Sequence, residues 1–294
     1  MQQVRKVVIP VAGFGTRFLP VTKAMPKEML PIIDKPVIQY VVEEAVAAGV
    51  TEVILVTSSA KRAVEDHFDE NKELESWLRA TGKQTLREEI RSITTLANFV
   101  YVRQKGPYGN ATPILNCEHL IGDEPFAVLF GDEIVSSSRP RLRQMLDVYE
   151  KYGDPVLAGF EVPKSAVHRY GIADPQAMVE KDVVQLKGAI EKPDARTAPS
   201  RLALMGAYVL TPDIFDCIRK TKKGHGGELV LLDAIRLQMQ SRPVYAKKIE
   251  GVYHDTGSKI GWLSANLYAA LERKDLSADA RALIAKLAKT GKKR

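Results

Sequence analysis

The chain has 294 residues, 45% of them hydrophobic and 27% charged, with a formal net charge of +7. That size bounds it to one large α/β domain or two smaller ones with a sizeable core, and the composition is that of a globular protein. No apolar run is long enough to span a membrane, no long apolar stretch opens the chain as in a signal peptide, and the two cysteines lack CxxC spacing, so free thiols in a reducing cytoplasm are expected.

Residues 5–11 and 52–57 (EVILVT) read as strands, and PVIQYVVEEAVAAGV between them has apolar residues at helical spacing up to Gly49. This is a β–α–β unit, which implies a right-handed crossover and a parallel sheet. A short helix is expected over 61–69. The charged stretch 70–93, broken at Gly82, reads as an inserted helical hairpin. NFVYVR (98–103) reads as a strand and TPILNCEHLIG as one helix from Thr112 to Gly122. EPFAVLFGDEIV is a nearly continuous apolar run ending in Gly131-Asp132-Glu133, the pattern of a buried parallel strand. Ligands bind at the carboxyl ends of such strands, where Asp132 sits.

RPRLRQMLDVYEKYG predicts an amphipathic helix. Residues 155–162 and 182–190 read as strands around a Tyr170-Gly171 turn, with Glu191-Lys192-Pro193 following the second. LALMGAYVL (202–210) is a further strand, TPDIFDCIRKT and GELVLLDAIRLQMQ are helices, and VYAKKIEG is a strand. VYHDTGSKIGWLSANLYAALERK turns at Gly257 and becomes the last long helix. Without repeats or flexible linkers, one α/β domain with a Rossmann-like mixed, mostly parallel central sheet flanked by helices is expected over 1–272, with a basic helical tail over 273–294.

The glycine loop after the first strand, GFGTRFLPVTKAMPKEMLPIIDKP, carries the functional signal. Phe18 stands where the dinucleotide fingerprint GxGxxG needs its third glycine, and the Walker pattern is absent. A lone Gly-x-Gly is ordinarily a tight β–α turn. Here Gly13 and Gly15 leave backbone amides free to meet phosphate oxygens, Arg17 offers a planar fork for phosphate, and Lys27 follows as a second cation. Together they point to a phosphate site.

The run GFGTRFLPVTKAMPKEMLPIIDKPVIQY resembles the signature of the sugar-1-phosphate nucleotidylyltransferases. EKP (191–193), GGELVLLDAI and YHDTGSKIGW extend the resemblance over roughly residues 5–270, and the helical insert matches the uridylyl branch. The resemblance implies the nucleotide-diphospho-sugar transferase fold and a reaction in which glucose 1-phosphate attacks the α-phosphorus of UTP in line, releasing pyrophosphate. It implies that Ala12, Gly13, Gly15 and Thr16 hold the triphosphate through the loop backbone. Arg17 would stabilise the leaving phosphates and Lys27 would act near the reacting ones. Glu28, Gln104 and Gly109 would surround the base, where the Gln104 amide offers both a donor and an acceptor. Asp132 and Asp255 would bind Mg²⁺, a hard cation suited to carboxylate, phosphate and water oxygens. Lys192 would touch the phosphates of both substrates. Glu191, Tyr170, Gly171, Gly206 and Glu228 would form the sugar side.

The chain departs from the family pattern in the base loop, which reads GNATP (109–113), at Ala207, where a cation near the sugar phosphate is usual, and at Glu133, where a second aspartate is usual. Three rival readings follow: an enzyme of the same fold with another base or sugar, a catalytically silent nucleotide-sugar sensor, or a basic nucleic-acid binder. The spread of the basic residues with few aromatics among them disfavours nucleic acid, and no membrane partner is expected. A homo-oligomer, dimer or tetramer, is implied by the resemblance.

Overall fold

Apolar β-branched runs alternating with amphipathic helices dictate the architecture. In the computed structural model, which describes residues 2–224 and 227–290, β1 (Lys6–Pro10) ends at the glycine loop. A small hairpin of β2 (Pro31–Ile32) and β3 (Lys35–Pro36) leads into α1 (Val37–Ala47) and β4 (Glu52–Thr57). After α2 (Arg62–Phe68) come α3 (Lys72–Ala80) and α4 (Gln84–Thr94), the inserted hairpin read from the sequence, and then β5 (Asn98–Arg103). Two short helices, α5 (Thr112–Leu115) and α6 (Glu118–Ile121), precede β6 (Phe126–Leu129), β7 (Glu133–Ser136), α7 (Arg141–Tyr152) and β8 (Val156–Glu161). Three long strands follow, β9 (Gly171–Glu180), β10 (Val183–Glu191) and β11 (Leu202–Leu210). The chain then forms α8 (Ile214–Lys220), α9 (Leu231–Gln238), β12 (Tyr245–Lys248), β13 (Val252–Asp255), α10 (Lys259–Glu272) and α11 (Ser277–Thr290). The basic end of the tail, 291–294, lies outside the described residues. No helix among the described residues is long and apolar enough to cross a membrane.

One nine-stranded sheet has the order β5-β4-β1-β6-β11-β8-β12-β10-β9. β5, β4, β1 and β6 are parallel neighbours, as are β8 and β12. Only β11 and β10 run against their neighbours. Successive side chains of a strand face opposite sides, so the central strands feed two cores. Val7, Ile9, Val53 and Leu55 pack with α1 and α7, while Val8, Ile54 and Val56 pack with α5, α6, α8 and α9.

Four stretches differ from the sequence expectation. The helix over 112–122 breaks at Asn116–Cys117, because the Asn116 side chain pairs with both the N–H and the carbonyl of Lys105 (2.8 and 3.1 Å). Such side-chain bonds compete with helix continuity. Tyr170-Gly171 is not a turn between strands but the start of β9. This strand, with Pro175 in it, pairs with β10 through register shifts at the sheet edge. The helix expected from Gly227 begins only at Leu231, because Leu229 is bonded to Tyr108 and Ala111 of the loop after β5. Residues 133–136 and 252–255 form a separate antiparallel ribbon, β7–β13.

That ribbon is tied to the helices by Arg141, which is fully buried. Its guanidinium donates to both Glu44 carboxylate oxygens (3.1 and 3.0 Å) and lies 3.6 Å from Glu133. Burial lowers its proton affinity, and attraction to Glu44 and Glu133 more than reverses this. Replacing it leaves the largely covered Glu44 and Glu133 carboxylates without their cation. Arg141→Ala is expected to lower unfolding stability by about 3–5 kcal/mol, read by urea denaturation.

Candidate active site

β1 and β6 are adjacent and parallel, so the glycine loop and the Gly131-Asp132 segment leave the sheet on the same side. Gly15 takes φ +68°, and its carbonyl accepts from the Thr22 hydroxyl at 2.8 Å, which curls the loop back. Pro26 then introduces a single helical turn over Lys27–Met29. That turn aims Lys27 inward, and its Nζ reaches Asp132 Oδ2 at 2.6 Å. Burial lowers the proton affinity of Lys27, but attraction to Asp132 and Glu28 outweighs this and leaves it raised. The ammonium stays charged.

The β7–β13 ribbon sets Asp255 opposite Glu133, one residue from Asp132, and the Thr256 hydroxyl donates to the Asp132 carbonyl at 2.7 Å. Both aspartate side chains consequently flank Gly257. A Cβ placed there would lie 2.6 Å from Asp132 Oδ2 and 3.2 Å from Asp255 Oδ1. Arg17 donates to the Gly257 carbonyl at 3.4 Å, and Arg169 lies 3.7 Å from Asp255. No cluster of three or more His, Cys, Asp or Glu that could hold a metal occurs among the described residues. Two carboxylates around one cradle suit a hard divalent cation whose remaining positions are filled by phosphate and water.

Beside this cluster is a cavity of about 290 Å³ lined by Ala12, Gly13, Lys27, Glu28, Gln104, Gly109, Asp132 and Glu228, among others. Glu28 is buried and pairs with the buried Lys61 at 2.8 Å. Its other carboxylate oxygen, Oε1, has no partner among the described residues. Burial raises its proton affinity, and Lys61 and Lys27 oppose that rise. Gln104 is fixed by its N–H to the Thr57 carbonyl (2.9 Å), while its carboxamide bonds to no described residue. Gly109 has φ +126°, and a Cβ there would sit 2.1 Å from the Leu229 carbonyl oxygen, so only glycine closes this loop.

Tyr170, Gly171, Glu191 and Lys192 form a second group. Gly171 is in register with Glu191, and the Lys192 N–H donates to the Tyr170 carbonyl at 3.0 Å. Lys192 itself has φ +47° and pairs with Glu191 at 3.1 Å. Arg169, next to Tyr170, links this group to Asp255. Glu228, expected on the sugar side, lines the cavity with Gln104. Thr16 and Arg17 lie outside that lining, with Arg17 on the Asp255 side. Gly206 backs onto Phe130, whose ring also lines the cavity.

Two departures have a structural reason. Ala207 is buried in the core with Leu129 and Met205, so the position faces packed apolar side chains. Glu133 turns inward as a scaffold, accepting from the Gly206 N–H at 2.8 Å, and burial pushes its carboxyl up to about 7 against the pull of Arg141. Sequence reasoning missed the Lys61–Glu28 pair, Arg169 and Asn110, whose side chain accepts from the Leu231 N–H at 2.7 Å. Asn110 stands just before a helix start, the one local signal among them; the partners of the others are distant in sequence.

A glycine loop with cations beside it, two converging aspartates and an adjoining cavity at the carboxyl edge of an α/β sheet define a nucleotide-handling transferase. The chain belongs to the nucleotidyl transferase family, whose model matches residues 6–271. It is 49% identical over 98% of its length to the UTP–glucose-1-phosphate uridylyltransferase of Staphylococcus epidermidis, covering 99% of that protein. It is 50% identical over 92% of its length to that of Staphylococcus haemolyticus, covering 94% of it. A UDP-glucose pyrophosphorylase solved with UDP-glucose superposes with a TM-score of 0.84 at 41% identity, over 92% of this chain and 100% of that one. A UTP-bound enzyme from Acinetobacter baumannii superposes with a TM-score of 0.90 at 37% identity, over 97% of this chain and 100% of that one.

The Gly257 cradle is open to test. Gly257→Ala would push the Asp132 carboxylate against Lys27 and part the two aspartates. Turnover is expected to fall at least tenfold, with a thermal midpoint close to wild type because the change touches the site and not the core.

Proposed function

We propose that this protein transfers the uridylyl group of UTP to α-D-glucose 1-phosphate, giving UDP-glucose and pyrophosphate. The observation that carries the reading is the continuity of one cavity from free base-reading groups, Gln104 and Glu28 Oε1, to the charged cluster of Lys27 and Asp132. Relatives of the same length that match end to end are uridylyltransferases of this kind.

In this reading the base enters toward Gln104 and Glu28. Uracil carries an N–H between two carbonyls, which a carboxylate and a carboxamide complement. The loop amides of Ala12–Thr16 bind the triphosphate, and Arg17 neutralises the departing phosphates from the Gly257 side. A phosphate oxygen of glucose 1-phosphate attacks the α-phosphorus, the bond to the bridging oxygen of the β-phosphate breaks, and pyrophosphate leaves with that electron pair. No covalent enzyme intermediate is required, so the protein contributes orientation and charge. Lys192 holds the sugar phosphate, and Glu191, Tyr170, Gly171 and Gly206 face the sugar; Glu228 contributes from the base side.

Nucleotidyltransferases typically use a divalent metal, and we assign Mg²⁺ to Asp132 and Asp255. When bound, it would neutralise part of the triphosphate charge. Lys27 holds Asp132 in the substrate-free protein and would be free to meet phosphate once that carboxylate has another cation. Residues 1–272 are taken as one catalytic unit, because a single sheet runs through them. A homo-oligomer is supported by the exposed Ile260, Leu263 and Leu267 on one stripe of α10. A cytoplasmic location is supported by the free Cys117 and Cys217.

With glucose 1-phosphate, pyrophosphate release is expected to be at least tenfold faster with UTP than with dTTP, CTP or GTP. A faster rate with any of the others assigns a different base. Asp132→Asn and Asp255→Asn should each raise the Mg²⁺ concentration needed for half-maximal activity. The double variant should lose little more than either single one, since ligands of one ion act as a unit. Multiplicative losses would show that the two aspartates serve separate roles.

A further inference from the structure

Phe14 and Tyr108 are 68% and 65% exposed, although both are large aromatic side chains. They come from loops far apart in sequence, yet their ring centroids lie 6.1 Å apart with planes inclined at 51°. Both line the cavity that holds Gln104 and Glu28. Burying such rings is favourable, so two of them left in water at the rim of a binding cavity call for a ligand that covers them.

The backbone beside Tyr108 is fixed while both side chains stand exposed. The Tyr108 carbonyl accepts from the Leu229 N–H at 2.8 Å, and the Ala111 N–H donates to the Leu229 carbonyl at 3.1 Å. Phe14 sits between Gly13 and Gly15, so neither neighbour carries a side chain to pack against it. The Tyr108 hydroxyl bonds to no described residue, which leaves its ring face as the feature it offers. Polar edge-reading groups occupy the cavity interior, and aromatic faces occupy its rim. A flat heterocycle whose edge reaches Gln104 and Glu28 presents its face to that rim.

We propose that Phe14 and Tyr108 form an aromatic gate that stacks on the nucleobase of the incoming nucleoside triphosphate. This rests on the assignment of the cavity as the base site. The gate supplies affinity and not base choice, because every base has a π face; choice belongs to the polar edge readers inside.

Both residues are surface loop positions, so Phe14→Ala and Tyr108→Ala are expected to fold normally. Each should raise the KM for UTP roughly tenfold, the scale of one lost stacking partner, with a larger effect on KM than on kcat. The KM values for CTP and dTTP should rise by similar factors. Tyr108→Phe should keep the wild-type value. The double variant should lose less than the product of the single effects, since the two rings pack on each other and act on one ligand. Calorimetric titration with UTP and with inorganic tripolyphosphate separates the base from its phosphates: UTP affinity should fall in the alanine variants and tripolyphosphate affinity should not. Equal loss of both overturns the gate, because the loop would then have been damaged. Unchanged UTP affinity in both aromatic variants, with weakened affinity in Gln104→Ala, overturns the gate and keeps the base site. Unchanged UTP affinity in all three overturns the base site itself.

Discussion

The site depends on one buried cation. Arg141 joins Glu44 of α1, Glu133 of β7 and, through Glu133, the Gly206 N–H of β11. A guanidinium wholly removed from water is tolerable only with its donors directed at carboxylates, and two carboxylates held beside one guanidinium have little freedom. Glu133 precedes the rest of β7 and follows Asp132, so fixing it fixes the start of the β7–β13 ribbon. The ribbon in turn sets Asp255 opposite. The position of the proposed metal pair is therefore an output of charge packing beneath it.

Electrostatics then divides the site by depth. Arg141 is buried and, with Glu133 turned in against it, serves the scaffold, while Lys27, Asp132, Asp255 and Arg17 lie where a solvated polyanion can reach them. Lys27 remains protonated because Asp132 and Glu28 outweigh its desolvation. The Lys61–Glu28 pair is different in kind. It is buried, yet one carboxylate oxygen has no partner among the described residues, and Glu28 lines the cavity. Such a group is unfavourable when left unsatisfied, and a ligand N–H would remove that penalty.

The base loop and the 227–231 segment show how packing overrides local preference. GELVLLDAIRLQMQ has helical spacing from its first residues, but Leu229 exchanges backbone hydrogen bonds with Tyr108 and Ala111, and Asn110 bonds to the Leu231 N–H. The helix gives up its first turn so that two loops close one wall of the cavity. This junction also brings Glu228 to the cavity that Gln104 lines.

Period and punctuation in the sequence determined the elements around β1, α1, β4, β5, β6 and β11, because buried parallel strands and amphipathic helices imprint their burial directly on the order of residues. The same order determined the glycine loop, since Gly13, Gly15, Arg17 and Lys27 lie within one short stretch. The ribbon of β7 and β13, the approach of Asp255 to Asp132, the Lys61–Glu28 pair and the meeting of Phe14 with Tyr108 were decided only by tertiary structure. Each joins segments far apart in the chain. Local spacing reports which face of an element is buried, not which distant side chain will lie against it; that is settled by the closure of the sheet and the hydrogen bonds that pin its loops.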